Sequence, residues 1–255
     1  MELFANVIGE KGEPFLILHG FLGMGDNWKT LGKDFAEQGY QVHLVDLRNH
    51  GRSPHTEEFS YQIMAQDIAE YCKQNSLEDI ILLGHSMGGK VAMKFAVENP
   101  EFLKDLIIVD IAPKYYSPHH QTILEGLSAL QDANLDSRGK ADDLLKEYIK
   151  EWGVRQFLLK NLYWKTKDKL AFRMNLDVLK EKVEAVGEAL NEGEIYEGKT
   201  LFIAGEKSNY IKEEDRDLLK THFPKSNLVK IKGAGHWVHA EKAEEFYTAV
   251  MGFLD

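Results

Sequence analysis

The first 114 residues alternate short apolar runs with helical patterns, and few architectures accept that rhythm. "PFLILHG", "YQVHLVDL", "DIILLG" and "DLIIVDIA" are runs bounded by turn residues. They read as strands buried on both faces. Between them lie "DNWKTLGKDFAEQG", with Asp26 as a cap and Gly39 as a stop, "SYQIMAQDIAEYCKQN", capped by Ser60, and "SMGGKVAMKFAVEN". Each carries apolar residues at helical spacing. Repeated β-α-β units require a mostly parallel sheet with helices on both faces.

The rhythm stops at Tyr115. From there to about Glu197 no convincing strand is expected. Helical patterns rich in Lys and Glu take over: "SPHHQTILEGLSAL", "ADDLLKEYIKEW", "VRQFLLKNLYW" and "NLDVLKEKVEAVGEAL". Strands resume at "TLFIAG" and "NLVKIKG", and "AEEFYTAVMGFL" closes the chain as a helix. The organisation expected is an α/β core made of residues 1–114 and 198–255, with residues 115–197 inserted as a helical cap. A chain of 255 residues buries roughly 75% of its extended surface, enough for one large core without staples.

The formal net charge is −10, which argues against nucleic acid and anionic membrane as partners. The single cysteine, Cys72, precludes an intramolecular disulfide and reads as a small buried hydrophobe. The first residues lack the basic and apolar regions of a signal peptide. No apolar run reaches the ~20 residues of a membrane helix. A cytoplasmic location is therefore expected.

"GHSMGG", Gly84 to Gly89, fits G-x-S-x-G between the strand and the helix that motif requires. Ser86 sits at the tip of the sharp turn as the candidate nucleophile, and Gly84 and Gly88 remove side chains that would clash across it. "LHGFLG" ends an earlier strand. In this arrangement the N–H groups of Phe21 and Met87 are the candidate oxyanion donors. Gly20, Gly23, Gly25 and Asp46 suggest a dinucleotide site, but the glycine order is G-x-x-G-x-G and the reading is weak.

Among ten histidines, His236 lies between the last strand and the last helix. That places it at the same sheet edge as Ser86, fit to act as general base. His239 follows three residues later, but no third ligand completes a metal site. His85 and His19 are expected to pack and to make local hydrogen bonds. No cofactor or metal is expected.

These motifs, in this order, resemble the α/β-hydrolase superfamily over the whole chain. "DLRNHGRSPH", "AQDIAEY", "GHSMGGK", "VDIAP", "QFLLKN" and "GAGHWVHAEK" look like the small bacterial YbfF-type esterases and their abhydrolase-domain relatives.

A histidine base needs a carboxylate to orient it. Most α/β-hydrolases carry that acid after the strand that follows the cap, where this chain has "AGEKSNY" with Ser208 in the position. Glu206 falls too early in that loop. Asp110 closes "DLIIVD", the strand directly after the nucleophile's helix, and consecutive parallel strands are usually neighbours. Asp110 is therefore the candidate acid. The resemblance agrees, since YbfF-type esterases are similar in carrying the acid in "VDIAP" and a serine in the later loop. Ser208 is then expected to steady His236 or Asp110. Asp46 ends a strand on the far side of the oxyanion loop, and pairing with Arg48 or Arg52 is its expected role.

The expected activity is carboxylic ester hydrolysis through an acyl-enzyme on Ser86. The resemblance implies short or medium acyl esters, with acyl thioesters as a further class. The expected partner is thus a small-molecule ester, and the expected state a monomer or homodimer. Phe157, Leu158, Tyr163 and Trp164 on the cap are expected to form cap core or line the acyl pocket. Two alternatives stand beside this: C–C hydrolysis or perhydrolysis on the same scaffold, and a non-enzymatic ligand-binding protein. Haloalkane dehalogenase and epoxide hydrolase chemistry is disfavoured, since each would place an aspartate where Ser86 stands.

Overall fold

The computed structural model describes residues 1–133, 135–167 and 169–255. In chain order the elements are β1 (Ala5–Ile8), β2 (Pro14–Leu18), α1 (Lys29–Glu37), β3 (Gln41–Val45), α2 (Tyr61–Gln74), β4 (Ile80–His85), α3 (Met87–Glu98) and β5 (Leu103–Val109). Then follow α4 (Gln121–Asp132), α5 (Arg138–Tyr148), α6 (Trp152–Leu159), β6 (Leu162–Thr166), β7 (Lys169–Phe172) and α7 (Leu176–Glu181). The chain ends with β8 (Thr200–Gly205), α8 (Arg216–His222), β9 (Ser226–Ile231), α9 (Val238–Glu241) and α10 (Ala243–Leu254).

Seven strands form one sheet in the order β1-β3-β2-β4-β5-β8-β9. All pairings are parallel except β1 with β3. The continuous apolar runs explain the layering, because successive side chains on a strand point to opposite faces. Phe15 and Ile17 pack with Trp28, Phe35 and Phe246 on one face, while Leu16 and Leu18 pack with Met64, Val91 and Phe95 on the other. Each such side chain, fully buried, stabilises the fold by roughly 1.5–3 kcal/mol.

The segment between β5 and β8 covers the C-terminal ends of the strands, where Asn161 bonds the Leu22 carbonyl after β2 and Asn175 bonds the Asn49 side chain after β3. Leu127, Leu145, Leu158 and Leu179 belong to the same apolar cluster as Leu82 and Phe95. Lys90, buried in α3, ties the two ends of the segment. Its ammonium donates to the Lys114 carbonyl at 2.5 Å and to the Glu188 carbonyl at 2.7 Å.

Several expectations are corrected. The inserted segment does contain strands, since β6 and β7 form an antiparallel hairpin. Hence "NLYW" does not continue the helix before it. The side chains of Trp164, Lys165 and Thr166 are exposed, so no buried apolar run announces this strand. The helical pattern expected from "SPHH" starts only at Gln121. Asp26 does not cap α1 but lies within a 3-10 turn, Gly25–Trp28, that precedes it. Strand β1 adds an edge that no apolar run marks. Asp46 does not pair with either arginine side chain. Its carboxylate accepts the Gly25 and Arg52 backbone amides at 2.6 and 2.8 Å, fixed donors that cost no side-chain ordering. Arg48 instead grips Asp67 with two bonds of 2.6 and 2.8 Å. Ser60 does cap α2, accepting the Ile63 amide. Among the described residues no helix is long and apolar enough to cross a membrane.

Candidate active site

Ser86 stands where β4 turns into α3, with φ 53° and ψ −119°. A side chain is rarely tolerated at positive φ, so the surrounding structure must enforce it. Close backbone approach does so. A Cβ on Gly84 would lie 2.2 Å from the Gly88 carbonyl oxygen, and one on Gly88 would lie 2.4 Å from that of Leu18. Only glycine fits either position. Ser86 occupies the N-cap position of α3, where the helix dipole favours negative charge.

Later strands on one side of β4 supply the partners, β5 beside it and β9 at the sheet edge. His236, in the loop after β9, has Nε2 3.0 Å from Ser86 Oγ. Its Nδ1 lies 2.8 Å from Asp110 Oδ2. Asp110 follows β5 directly, is fully buried and has φ 52°. A buried carboxylate is costly unless its oxygens are bonded. Here Oδ1 accepts the Gly205 amide at 3.0 Å, and Oδ2 also accepts the Ser208 hydroxyl at 2.5 Å. Ser208 therefore bonds Asp110 and not His236. Glu206 points elsewhere and accepts the Gly233 amide at 2.8 Å.

Two backbone donors flank the serine. Met87 is the first residue of α3, so its N–H has no intrahelical acceptor. Phe21 lies in a turn closed by the Gly23 amide on the Gly20 carbonyl at 3.0 Å. This turn abuts the nucleophile, because a Cβ on Gly20 would come within 3.4 Å of Ser86 Cβ. The next amide, Leu22, donates to His50 Nε2 at 3.3 Å.

The flanking histidines are structural. His85 Nε2 bonds the His236 carbonyl at 2.9 Å; burial holds its imidazole well below the usual pKa. His19 accepts the Leu47 amide at 3.0 Å. His239 stacks on Trp28 with ring centroids 3.9 Å apart, and burial pushes its pKa down to about 3.

A cavity of about 250 Å³ opens beside Ser86 and His236, walled by Ile123, Val154, Phe157, Leu158 and Trp237. Of the four cap residues expected to form cap core or line the pocket, Phe157 and Leu158 line it; Tyr163 lies under the Arg173 guanidinium and Trp164 is 49% exposed. The sequence reading missed three other residues at this site. Tyr210 stacks on the His236 ring at 4.0 Å and bonds His119 at 2.7 Å. His120 lines the cavity, and burial with neighbouring His119 and His236 lowers its pKa to about 4. No sequence pattern marks them beyond the paired histidines of "SPHH".

Residues 13–134 match the alpha/beta hydrolase fold family. The chain is 35% identical over 254 residues to the sn-1-specific diacylglycerol lipase ABHD11 of Mus musculus, covering 96% of this chain and 82% of that protein. The chain belongs to the α/β-hydrolase superfamily. It is 32% identical over 246 residues to the esterase YbfF of Escherichia coli, covering 95% and 93% of the two. A solved structure described as a marine microorganism esterase superposes with a TM-score of 0.95 at 38% identity, covering 99% of each chain. This α/β-hydrolase is thus of the YbfF type, and a hydrolase.

Proposed function

We propose that this hydrolase cleaves carboxylic esters through an acyl-enzyme on Ser86. The observation that carries the reading is the unbroken line Ser86 Oγ, His236 Nε2, His236 Nδ1, Asp110 Oδ2, with steps of 3.0 and 2.8 Å. Ser86 attacks the ester carbonyl while His236 Nε2 takes its proton. Asp110 orients the ring and stabilises the imidazolium. The Phe21 and Met87 amides receive the oxyanion. His236 returns the proton to the departing alcohol. Water, deprotonated by the same nitrogen, then attacks the acyl-enzyme and releases the acid.

The apolar cavity supports a short or medium acyl chain as substrate. The mouse relative, a diacylglycerol lipase, adds glycerolipid esters as a candidate class, and acyl thioesters share the same carbonyl chemistry. The partner is then a small molecule, taken up without a cofactor by a monomer or homodimer in the cytoplasm. The test is reaction with a fluorophosphonate followed by peptide mapping, alongside p-nitrophenyl butyrate hydrolysis. The reading expects label on Ser86 and turnover lost in Ser86→Ala. An unlabelled Ser86 with no turnover would favour a ligand-binding protein on this scaffold.

A further inference from the structure

The motif "QFLLKN" ends in Asn161, a residue the reaction above does not use. Asn161 follows α6 and is fully buried. Its Nδ2 donates to the Leu22 carbonyl at 2.7 Å and to the Leu158 carbonyl at 3.3 Å. Both neighbours are acceptors, so the nitrogen must face them. Its Oδ1 is buried with no hydrogen-bond partner among the described residues. An apolar residue would avoid that unmade bond, so the donation must carry a compensating role.

Leu22 is where such a grip matters. Its φ is 60°, the left-handed region that bulky side chains avoid. It occupies the third position of the Gly20–Gly23 turn, and positive φ there ordinarily calls for glycine or asparagine. Leu22 is nonetheless a buried leucine, held at both ends. Its N–H donates to His50 Nε2 at 3.3 Å. His50 Nδ1 lies 2.9 Å from the Arg48 carbonyl, so that nitrogen is the donor and Nε2 is left to accept. A Leu22 that relaxed to negative φ would turn over the Phe21–Leu22 peptide and shift Phe21 with it.

We propose that Asn161, with His50, is a positioning residue of the oxyanion turn: it locks Leu22 in the left-handed conformation and so aims the Phe21 N–H at the reacting oxygen. This rests on the ester-hydrolase reading above. Because Asn161 belongs to the inserted segment, seating of that segment and competence of the turn become one event.

The test is Asn161→Ala in two backgrounds, wild type and Leu22→Gly, with p-nitrophenyl butyrate. Misplacing a donor costs up to about 100-fold, so kcat is expected to fall about 10–100-fold in wild type with little change in KM. The inhibition constant of a trifluoromethyl ketone, whose adduct oxygen takes the oxyanion position, rises in parallel. Glycine adopts φ near 60° without strain, so in Leu22→Gly the same substitution is expected to cost less than about threefold. Equal losses in both backgrounds, or a loss that leaves the inhibitor unaffected, overturn the inference. His50→Leu removes the grip from the other end and is expected to show the same pattern, which keeps the test open if Asn161→Ala does not fold. An active wild type with an unchanged Asn161→Ala and His50→Leu refutes this inference alone, whereas an inactive, unlabelled wild type refutes the ester-hydrolase reading and this with it.

Discussion

Ser208 donates its hydroxyl to Asp110 Oδ2 at 2.5 Å, the same oxygen that bonds His236 Nδ1 at 2.8 Å. A neutral hydroxyl beside a carboxylate steadies the charge without replacing it. Ser208→Ala leaves Asp110 with the Gly205 amide and the imidazole, so kcat/KM is expected to fall by about 10–100-fold at most, one charge-assisted hydrogen bond's worth. Steady-state kinetics checks this; a loss as large as that of Asp110→Asn would contradict the division of roles.

Arg48 and Asp67 form a bidentate ion pair with both side chains about 95% buried. Removing Asp67 leaves the buried Arg48 guanidinium with only the exposed Glu58 carboxylate at 3.9 Å for a counter-charge, and breaking a buried pair costs about 3–5 kcal/mol. Asp67→Ala is expected to lower Tm by roughly 10 °C. The double substitution Arg48→Met with Asp67→Leu, which leaves neither charge behind, is expected to recover part of that loss. Thermal unfolding of the three proteins decides it.

Acid stability depends on histidines kept neutral. His43, buried and bonded to Tyr71 and Gln41, has its pKa pushed by burial from 6.5 to about 4. Between those values the unfolded chain binds the extra proton and the folded chain does not. Its contribution is therefore fully present above about pH 6.5 and is lost as pH falls toward about 4, at about 1.4 kcal/mol per pH unit. His43→Gln, at a site remote from Ser86, is expected to give a shallower acid limb in denaturant titrations by about one proton. An unchanged slope would contradict this.

The cavity wall sets chain length under the proposed activity. Val154→Phe adds volume where Val154 lines the cavity. The ratio of kcat/KM for p-nitrophenyl octanoate over butyrate is expected to fall about tenfold or more, the scale of a few misfitted methylenes. An unchanged ratio would place the acyl chain elsewhere.

The parallel core was legible because strands buried on both faces are continuous apolar runs. Thus "TLFIAG" coincides with β8 and "AEEFYTAVMGFL" with α10. Strand β1 was not, since its half-exposed residues form an antiparallel edge with no apolar run. The hairpin β6–β7 failed for the same reason. The place of Asp110 beside His236 was legible because a carboxylate ending an apolar strand has a position implied by strand order. Asn161 could not: its partner is a backbone carbonyl 139 residues away, and nothing local reports that Leu22 is strained. The pairing assigned to Asp46 went wrong because a sequence displays charged side chains and hides backbone amides.

The measurement that bears most directly on the central claim is p-nitrophenyl butyrate hydrolysis by wild type and Asp110→Asn, side by side at mildly alkaline pH. If Asp110 orients His236, wild type turns over and the variant falls by about 10⁴-fold, the scale known for this substitution in a serine triad. A variant that keeps most of the wild-type rate would contradict the account.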